Sequence, residues 1–406
     1  MATPVAAQPA PPPDLLAAVA RAPLLEAARK RIDAARTRVE SSGRLADPEL
    51  EAMGSRVNAD AGGENRDMWE FNLRQPLPRR GERAADRERA LALAGTAEAE
   101  LAMIAGDLAG DVAMNLAEAE GSEARARLVE AQLGRLNAVL QAIEARLASG
   151  VPTRLADRLT VQSRVAALQL TLENLRRGAE DARAIVRGRL ALASDAPVPG
   201  FAAPQPAEIN SLDSVALAIA TARIAEANAM GRMARANANP MTAVGLRFER
   251  ERSSMGNQDT VGLAVSSEIP WRTRRYSRVD ARAAEADRAA AQADASAARH
   301  RIVSALTRVE RAERVAATAR RLAAETQARL DAEHEALNRA VSVGAGAGTA
   351  MGGESAVLHA VDILDKSTET QLQIVEAETA ARTARAELWR YVSPRRLFAA
   401  TLDRSP

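Results

Sequence analysis

The sequence predicts a mainly α-helical fold with a small β part, written twice along the chain, and three observations carry that prediction. Asp47-Pro48 and Asn239-Pro240 lie 192 residues apart, and the stretches around them match at that single offset without a gap. Each copy reads as helix, short alternating segment, polar loop, short alternating segment, Pro-containing turn and very long Ala-rich helix. Aromatics make up only 2% of the residues and the apolar content is mostly Ala, Leu and Val, a profile that favours closely packed long helices over a large globular core. The period is far longer than that of a stacked solenoid unit, so it marks a duplicated half-protein. Any site in one half should have a counterpart in the other.

Composition also excludes several functions. The 55 Lys plus Arg are balanced by 53 Asp plus Glu and interleaved with them, which describes solvated helix faces rather than a nucleic-acid footprint. With no Cys, disulfides, thiolate metal sites and a lipid-modified N-terminal Cys are ruled out in this chain. No apolar run reaches the length of a transmembrane helix. Residues 1–13 are rich in Ala and Pro, lack a charged and apolar leader pattern, and are expected to be disordered; an exported protein would have lost its signal peptide from this sequence.

The elements follow in order. Repeat 1 spans 14–193: an N-terminal helix over 14–40, strands at about 48–58 and 69–76, a long helix 84–147, a tip 148–154 after the break at Gly150-Val151-Pro152, and a return helix 155–190. Residues 194–211 form a Pro-rich linker. Repeat 2 spans 212–393: a helix 212–236, strands at about 240–250 and 260–269, a long helix 276–340, a tip 341–354 and a return helix 355–391, before a tail at 394–406. Leu136, Leu140, Ile143 and Leu147 step by three and four, as do Val161, Val165, Leu168, Leu172 and Leu175, which are coiled-coil spacings. Helix 84–147 would be about 96 Å long and its return only about 54 Å, so a second helix, 212–236, is needed to complete the return with about 37 Å. The N-terminal helix 14–40 plays that part for repeat 2.

Three of the four strands alternate cleanly. Trp69, Phe71 and Leu73 flank Glu70 and Asn72; Val244, Leu246 and Phe248 flank Gly245 and Arg247; Val261, Leu263 and Val265 flank Gly262 and Ala264. The first strand alternates poorly, because at the repeat offset Arg56 falls on Phe248. The loops Ala59 to Asp67 and Arg250 to Asp259 suit two hairpins. Strands of this length either cross a bilayer when tilted or pack as soluble hairpins against each other or a helix. Four strands cannot close alone, so the membrane reading requires several copies to share one barrel.

This arrangement resembles the TolC-like outer-membrane efflux proteins over nearly the whole chain. The sharpest local match is Val361-Asp362-Ile363-Leu364-Asp365, which is similar to the Val-Asp-Val-Leu-Asp segment of that family's periplasmic aperture. Leu155-Ala156-Asp157-Arg158-Leu159 is its first-half counterpart. Asp47-Pro48-Glu49-Leu50-Glu51 and Gln75-Pro76-Leu77-Pro78 are most similar to the heavy-metal, CzcC-like branch. The resemblance implies a homotrimer with a twelve-stranded barrel in the outer membrane and a twelve-helix tunnel across the periplasm. It also implies a periplasmic adaptor (membrane fusion) protein and an inner-membrane pump as partners, with metal cations as the expected cargo. Trp69, Phe71, Leu73, Val244, Leu246, Phe248, Val261, Leu263 and Val265 would then face lipid, with Glu70, Asn72 and Arg247 toward the lumen.

Asp362, Asp365 and Asp157 would lie at the aperture, where rings of Asp select for cations; without the resemblance they read as ordinary solvated helix carboxylates. His359, three residues before Asp362, reads as an exposed histidine, and with three His and no Cys no metal ligand is assigned. The Gly-rich second tip lacks the preceding strand and glycine spacing of a phosphate-binding loop. It is longer than the first tip, a departure that bears on how an adaptor is met. No cofactor and no convergent set of acid, base and nucleophile is found, so an enzyme is not expected. A soluble periplasmic coiled-coil or adaptor protein is the alternative, although an adaptor should carry one helical hairpin among many strands and this chain has two hairpins of each kind.

Overall fold

The computed structural model describes residues 14–57, 66–149, 155–253, 256–342 and 356–402. The segment 1–13 expected to be disordered, residues 150–154 and 343–354 of the two tips, and the hairpin connections 58–65 and 254–255 lie outside the described residues.

The chain is mainly helical with one small antiparallel sheet. Its elements are α1 (Leu15–Ala20), α2 (Pro23–Ser41), β1 (Glu49–Val57), β2 (Arg66–Leu77), α3 (Glu82–Ala148), α4 (Leu155–Leu190), α5 (Val215–Asn237), β3 (Thr242–Ser253), β4 (Gly256–Ser267), α6 (Trp271–Ser342), α7 (Ala356–Glu387) and α8 (Pro394–Leu402). The single helix expected over 14–40 is instead two. Pro23 has no N–H to continue a ladder and disfavours a helical residue before it, so the chain breaks at Arg21-Ala22 and restarts. Pro23 and Val215, the first residues of α2 and α5, are again 192 apart.

Two compact units partition these elements. One comprises Ala27–Leu101 and Ala216–Ala298; the other comprises Met1–Glu26, Ala102–Val215 and Arg299–Pro406. In the first unit, the strands form a four-stranded sheet in the order β1-β2-β3-β4, every neighbour antiparallel. α5 buries Leu217 and Ala220 against Ala295 of α6, and its Arg232 pairs with Glu88 of α3 at 2.6 Å. Gly43 turns the chain between α2 and β1 at φ +67°; its N–H donates to Asp86 at 2.9 Å and its carbonyl accepts from Arg83 at 2.7 Å.

The strands run further into the loops than hydropathy suggested. β2 begins at Arg66, β3 continues to Ser253 and β4 begins at Gly256, because the polar residues there pair across the ladder instead of turning. Arg56 meets Asp67 at 2.7 Å, Arg250 meets Asp259 at 2.7 Å and Arg66 meets Glu251 at 3.1 Å. The poor alternation of β1 has a related cause. The repeat offset would set Arg56 opposite Trp69, but β1 is shifted by two residues, so that Gly54 lies opposite Trp69 and Arg56 opposite Asp67. A shift of two keeps every side chain on its face and moves the arginine to the charged end of the strand.

In the second unit, α3 and α4 meet along the expected seam. Leu136, Ile143, Val161 and Val165 form one buried cluster, flanked by Leu140, Leu147 and Leu168, while Ala126, Val129 and Leu172 form the next. Val361 of α7 enters the first cluster, so α7 shares the seam. α1 packs on α8, and Leu15 and Val19 of α1 and Leu397 of α8 are buried. The linker is tied down: Trp389 donates its indole N–H to the Ala202 carbonyl at 2.9 Å, Arg382 lies 4.4 Å over the Phe201 ring, and Glu208 pairs with Arg396 at 2.6 Å.

Small residues permit the closest approaches. A Cβ on Gly121 of α3 would lie 2.3 Å from the Thr379 hydroxyl oxygen on α7, a spacing that no side chain tolerates. Gly178 of α4 has open space around it. Gly178→Ala should therefore raise the thermal midpoint of the purified protein by the gain in helix propensity, up to about 1 kcal/mol. Gly121→Ala should lower it by overpacking, about 1–3 kcal/mol before that gain. Thr379→Ala in the Gly121→Ala background should recover part of the loss.

Asp107 and Asp111, one turn apart on α3, have different surroundings. Asp111 is held by Arg390 and Arg189, each at 2.7 Å, whereas Asp107 lies 3.4 Å from Arg390. Partial burial pushes the Asp107 carboxyl above the usual carboxylate range; the pull of Arg390 opposes this and the charge of Asp111 adds to it. A group whose pKa is raised on folding is penalised when ionised, and the penalty is relieved as pH falls through the raised value. Asp107→Asn should thus leave stability at neutral pH unchanged or slightly higher, with the difference from wild type shrinking on acidification. Asp111→Asn, which strips two guanidinium groups of a charged acceptor, should cost about 1–3 kcal/mol in thermal or denaturant unfolding.

Candidate functional site

Two surfaces are candidates for a functional site, and the sheet supplies the larger one. Its register places Leu50, Leu73, Leu246 and Leu263 in one cross-strand row and Ala52, Phe71, Phe248 and Val261 in the next, all on one face. Val244 and Val265 continue the face toward the helices, and Trp69 continues it toward the loops, lying over Gly54. Phe71 and Phe248 stack edge-tilted with centroids 6.4 Å apart. This face is not covered by any described part of the chain: Leu263 is 86% exposed, Val261 and Val265 are each 73% exposed, and Trp69 is 55% exposed. Water is a poor solvent for so large an apolar patch, and such a patch marks an interaction surface.

The other face is polar. Glu49, Glu51, Glu70, Asn72, Arg74, Arg247, Glu249 and Glu251 alternate with the apolar set, as period-two strands require. Arg247 bridges Glu70 at 3.0 Å and Glu249 at 3.1 Å. Gly245 has Leu73's carbonyl oxygen where a Cβ would sit, 2.7 Å away, so β2 and β3 approach closely there. β1 and β4 are the two edges, each with a partner on one side only.

The acids expected at the aperture lie near the tip-proximal ends of α4 and α7. The Val361-Asp362-Ile363-Leu364-Asp365 segment buries Val361 and Ile363 and leaves Asp362 outside. Asp365 is not a free carboxylate. It accepts from Gln132 of α3 at 2.6 Å and forms an ion pair with Arg164 of α4. Asp362 pairs with Lys366, one turn on, at 2.8 Å, with both side chains largely exposed. Asp157 is buried, one turn before Val161. The structure therefore brings together four charges, Asp362, Asp365, Lys366 and Arg164, that sum to zero. Lys366 was visible in the sequence at helical spacing from Asp362; Arg164 was not, because its pairing depends on how α4 packs against α7. His359 is exposed, and no group of His, Asp and Glu able to hold a metal occurs among the described residues. No described helix is long and apolar enough to cross a membrane.

A profile of the family described as outer membrane efflux protein matches residues 15–190. No curated protein was found to match the sequence. Among solved structures, the chain is similar to the outer membrane protein VceC from Vibrio cholerae, with 16% identity, 93% of this chain and 95% of that one covered, and a TM-score of 0.68. It is similar to a membrane protein from Pseudomonas aeruginosa, with 19% identity, 96% of each chain covered and a TM-score of 0.70. The open state of the Neisseria gonorrhoeae MtrE outer membrane channel aligns with 19% identity over 93% of this chain and 87% of that one, with a TM-score of 0.64. The profile match thus lies within the first half of the chain, and the fold is shared with these structures along nearly its whole length.

Proposed function

We propose that the protein is the outer-membrane channel of a tripartite efflux pump, a passive conduit for small solutes. One observation carries this reading above the others: a four-stranded sheet with an uncovered apolar face and two open edges. In lipid the face is satisfied but the edges are not, since every unpaired N–H and C=O there costs several kcal/mol or more. Because the sheet has an even number of antiparallel strands, β4 of one copy runs antiparallel to β1 of the next, so copies close head to tail. Three copies give twelve strands. The apolar residues from Trp69 to Val265 then face lipid, and Glu70, Asn72 and Arg247 line the lumen. The alternative of a soluble adaptor leaves that face uncovered in water.

On this reading the conduit continues through the long helices into the periplasm, where an adaptor protein and an inner-membrane pump meet it. Metal cations are the proposed cargo, on the resemblance of Asp47-Pro48-Glu49-Leu50-Glu51 and Gln75-Pro76-Leu77-Pro78 to the heavy-metal branch. Asp362, Asp365 and Asp157 line the aperture, where Lys366 and Arg164 compensate the first two acids. This makes a signed prediction for single-channel recordings of the purified channel in planar bilayers. Arg164→Gln with Lys366→Gln should raise cation preference and cation block, because it frees up to six carboxylates per trimer. Asp362→Asn with Asp365→Asn should lower cation preference below that of wild type. Unchanged selectivity in both variants, with the trimer intact, would place the constriction elsewhere.

A further inference from the structure

Just past the membrane-facing end of β4, the chain reads Glu268-Ile269-Pro270-Trp271-Arg272-Thr273-Arg274-Arg275-Tyr276-Ser277-Arg278, with four arginines and no acid between Glu268 and Asp280. Trp271 is 82% exposed and Tyr276 64% exposed, and Arg272, Arg274, Arg275 and Arg278 are exposed as well. None of the four guanidinium groups meets a carboxylate among the described residues. The equivalent turn of the first half is built differently. There Arg79 pairs with Glu268 at 2.9 Å and Arg83 donates to the Gly43 carbonyl, so those arginines serve the fold.

The position of this cluster gives it meaning. Trp69 stands level with Asp259 of β4, and Ile269, 69% exposed, follows ten residues later. β4 ends at Ser267, and the ten residues, the last two just beyond the strand, span about 33 Å if extended throughout, or about 25 Å across a bilayer at a tilt of about 40°, the height of the apolar band of a membrane barrel. Trp69 thus marks one rim and Trp271 the other. Aromatic side chains prefer that depth, where one side is apolar and the other wet, and unpaired arginines beside them lie at the level of lipid phosphates.

Resting on the channel reading, we propose that Trp271, Arg272, Arg274, Arg275, Tyr276 and Arg278 form a binding surface for anionic phospholipid head groups at the helix-side rim of the membrane band. Each guanidinium offers a planar fork of donors that matches a phosphate, and the two aromatic rings seat the glycerol region. Three copies around a barrel would make a basic collar.

The test uses the full-length protein in neutral detergent, with its thermal midpoint read after adding phosphatidylglycerol or phosphatidylethanolamine at equal mole fraction. Phosphatidylglycerol should raise the midpoint by several degrees more than phosphatidylethanolamine, and added salt should shrink the difference. Arg272→Gln, Arg274→Gln and Arg275→Gln together should abolish the difference, and the same three changed to Lys should keep most of it. Inorganic phosphate at the same concentration should have no effect. Equal stabilisation by both lipids, a difference that survives the Gln variant, or an equal response to inorganic phosphate would overturn the proposal. A protein that does not partition into detergent or lipid at all would overturn the channel reading itself, which separates the two failures.

Discussion

The structure depends on an unmet backbone requirement. A β-strand edge presents N–H and C=O groups that must be paired, by protein or by water, and burying them unpaired costs more than any single side-chain contact in the fold returns. β1 and β4 are such edges, and they flank a face that water does not favour. The two conditions conflict within one chain: the apolar face is satisfied by leaving water, the edges by keeping it. The proposed barrel shared among copies would resolve both, and it would set the polar residues of the same strands, Glu70, Arg247 and Glu249, which are cross-linked by ion pairs, on the opposite face.

The helices answer to a different constraint, close approach. Residues 102–126 of α3 are surrounded on several sides, and the buried positions there are largely alanine. Gly121 accepts Thr379 where any Cβ would collide. At such spacings acids and bases are forced into specific partnerships, as with Asp111 between Arg189 and Arg390, or Arg183 with Glu123 and Arg382 with Glu120. A chain with few aromatics gains its packing from many small contacts, so the position of each small residue matters more than the size of any large one.

Much of this was legible from periodicity. The steps Val161, Val165, Leu168 and Leu172 named the α4 seam correctly, and the alternation of Phe71, Leu73, Val244, Leu246 and Leu263 named the apolar face of the sheet. Strand ends were misjudged because Arg250, Asp259 and Arg66 look like loop residues to a hydropathy reading, and only their cross-strand partners show otherwise. Arg56 was misplaced because an offset found in sequence carries no register, which the hairpin itself fixes. At the candidate aperture, Lys366 could be read beside Asp362 from helical spacing, but Arg164 lies two hundred residues from Asp365 and meets it only through the packing of α4 on α7. Tertiary charge compensation is the part of a site that a single sequence hides.

Cross-linking between the two open edges tests the central claim most directly, since a chain without cysteine gives a clean background. Single cysteines at Leu50 or Ala52 of β1, combined pairwise with cysteines at Val261, Leu263 or Val265 of β4, sample the possible registers on one face. Oxidation of membranes containing the protein should yield dimers and trimers and nothing larger for at least one pair, because head-to-tail closure ends at three copies. Pairs that join cysteines from opposite faces, such as Glu51 with Val261, should stay monomeric. Failure of every same-face pair to cross-link in membranes, or a ladder extending beyond three chains, would contradict a barrel shared by three copies.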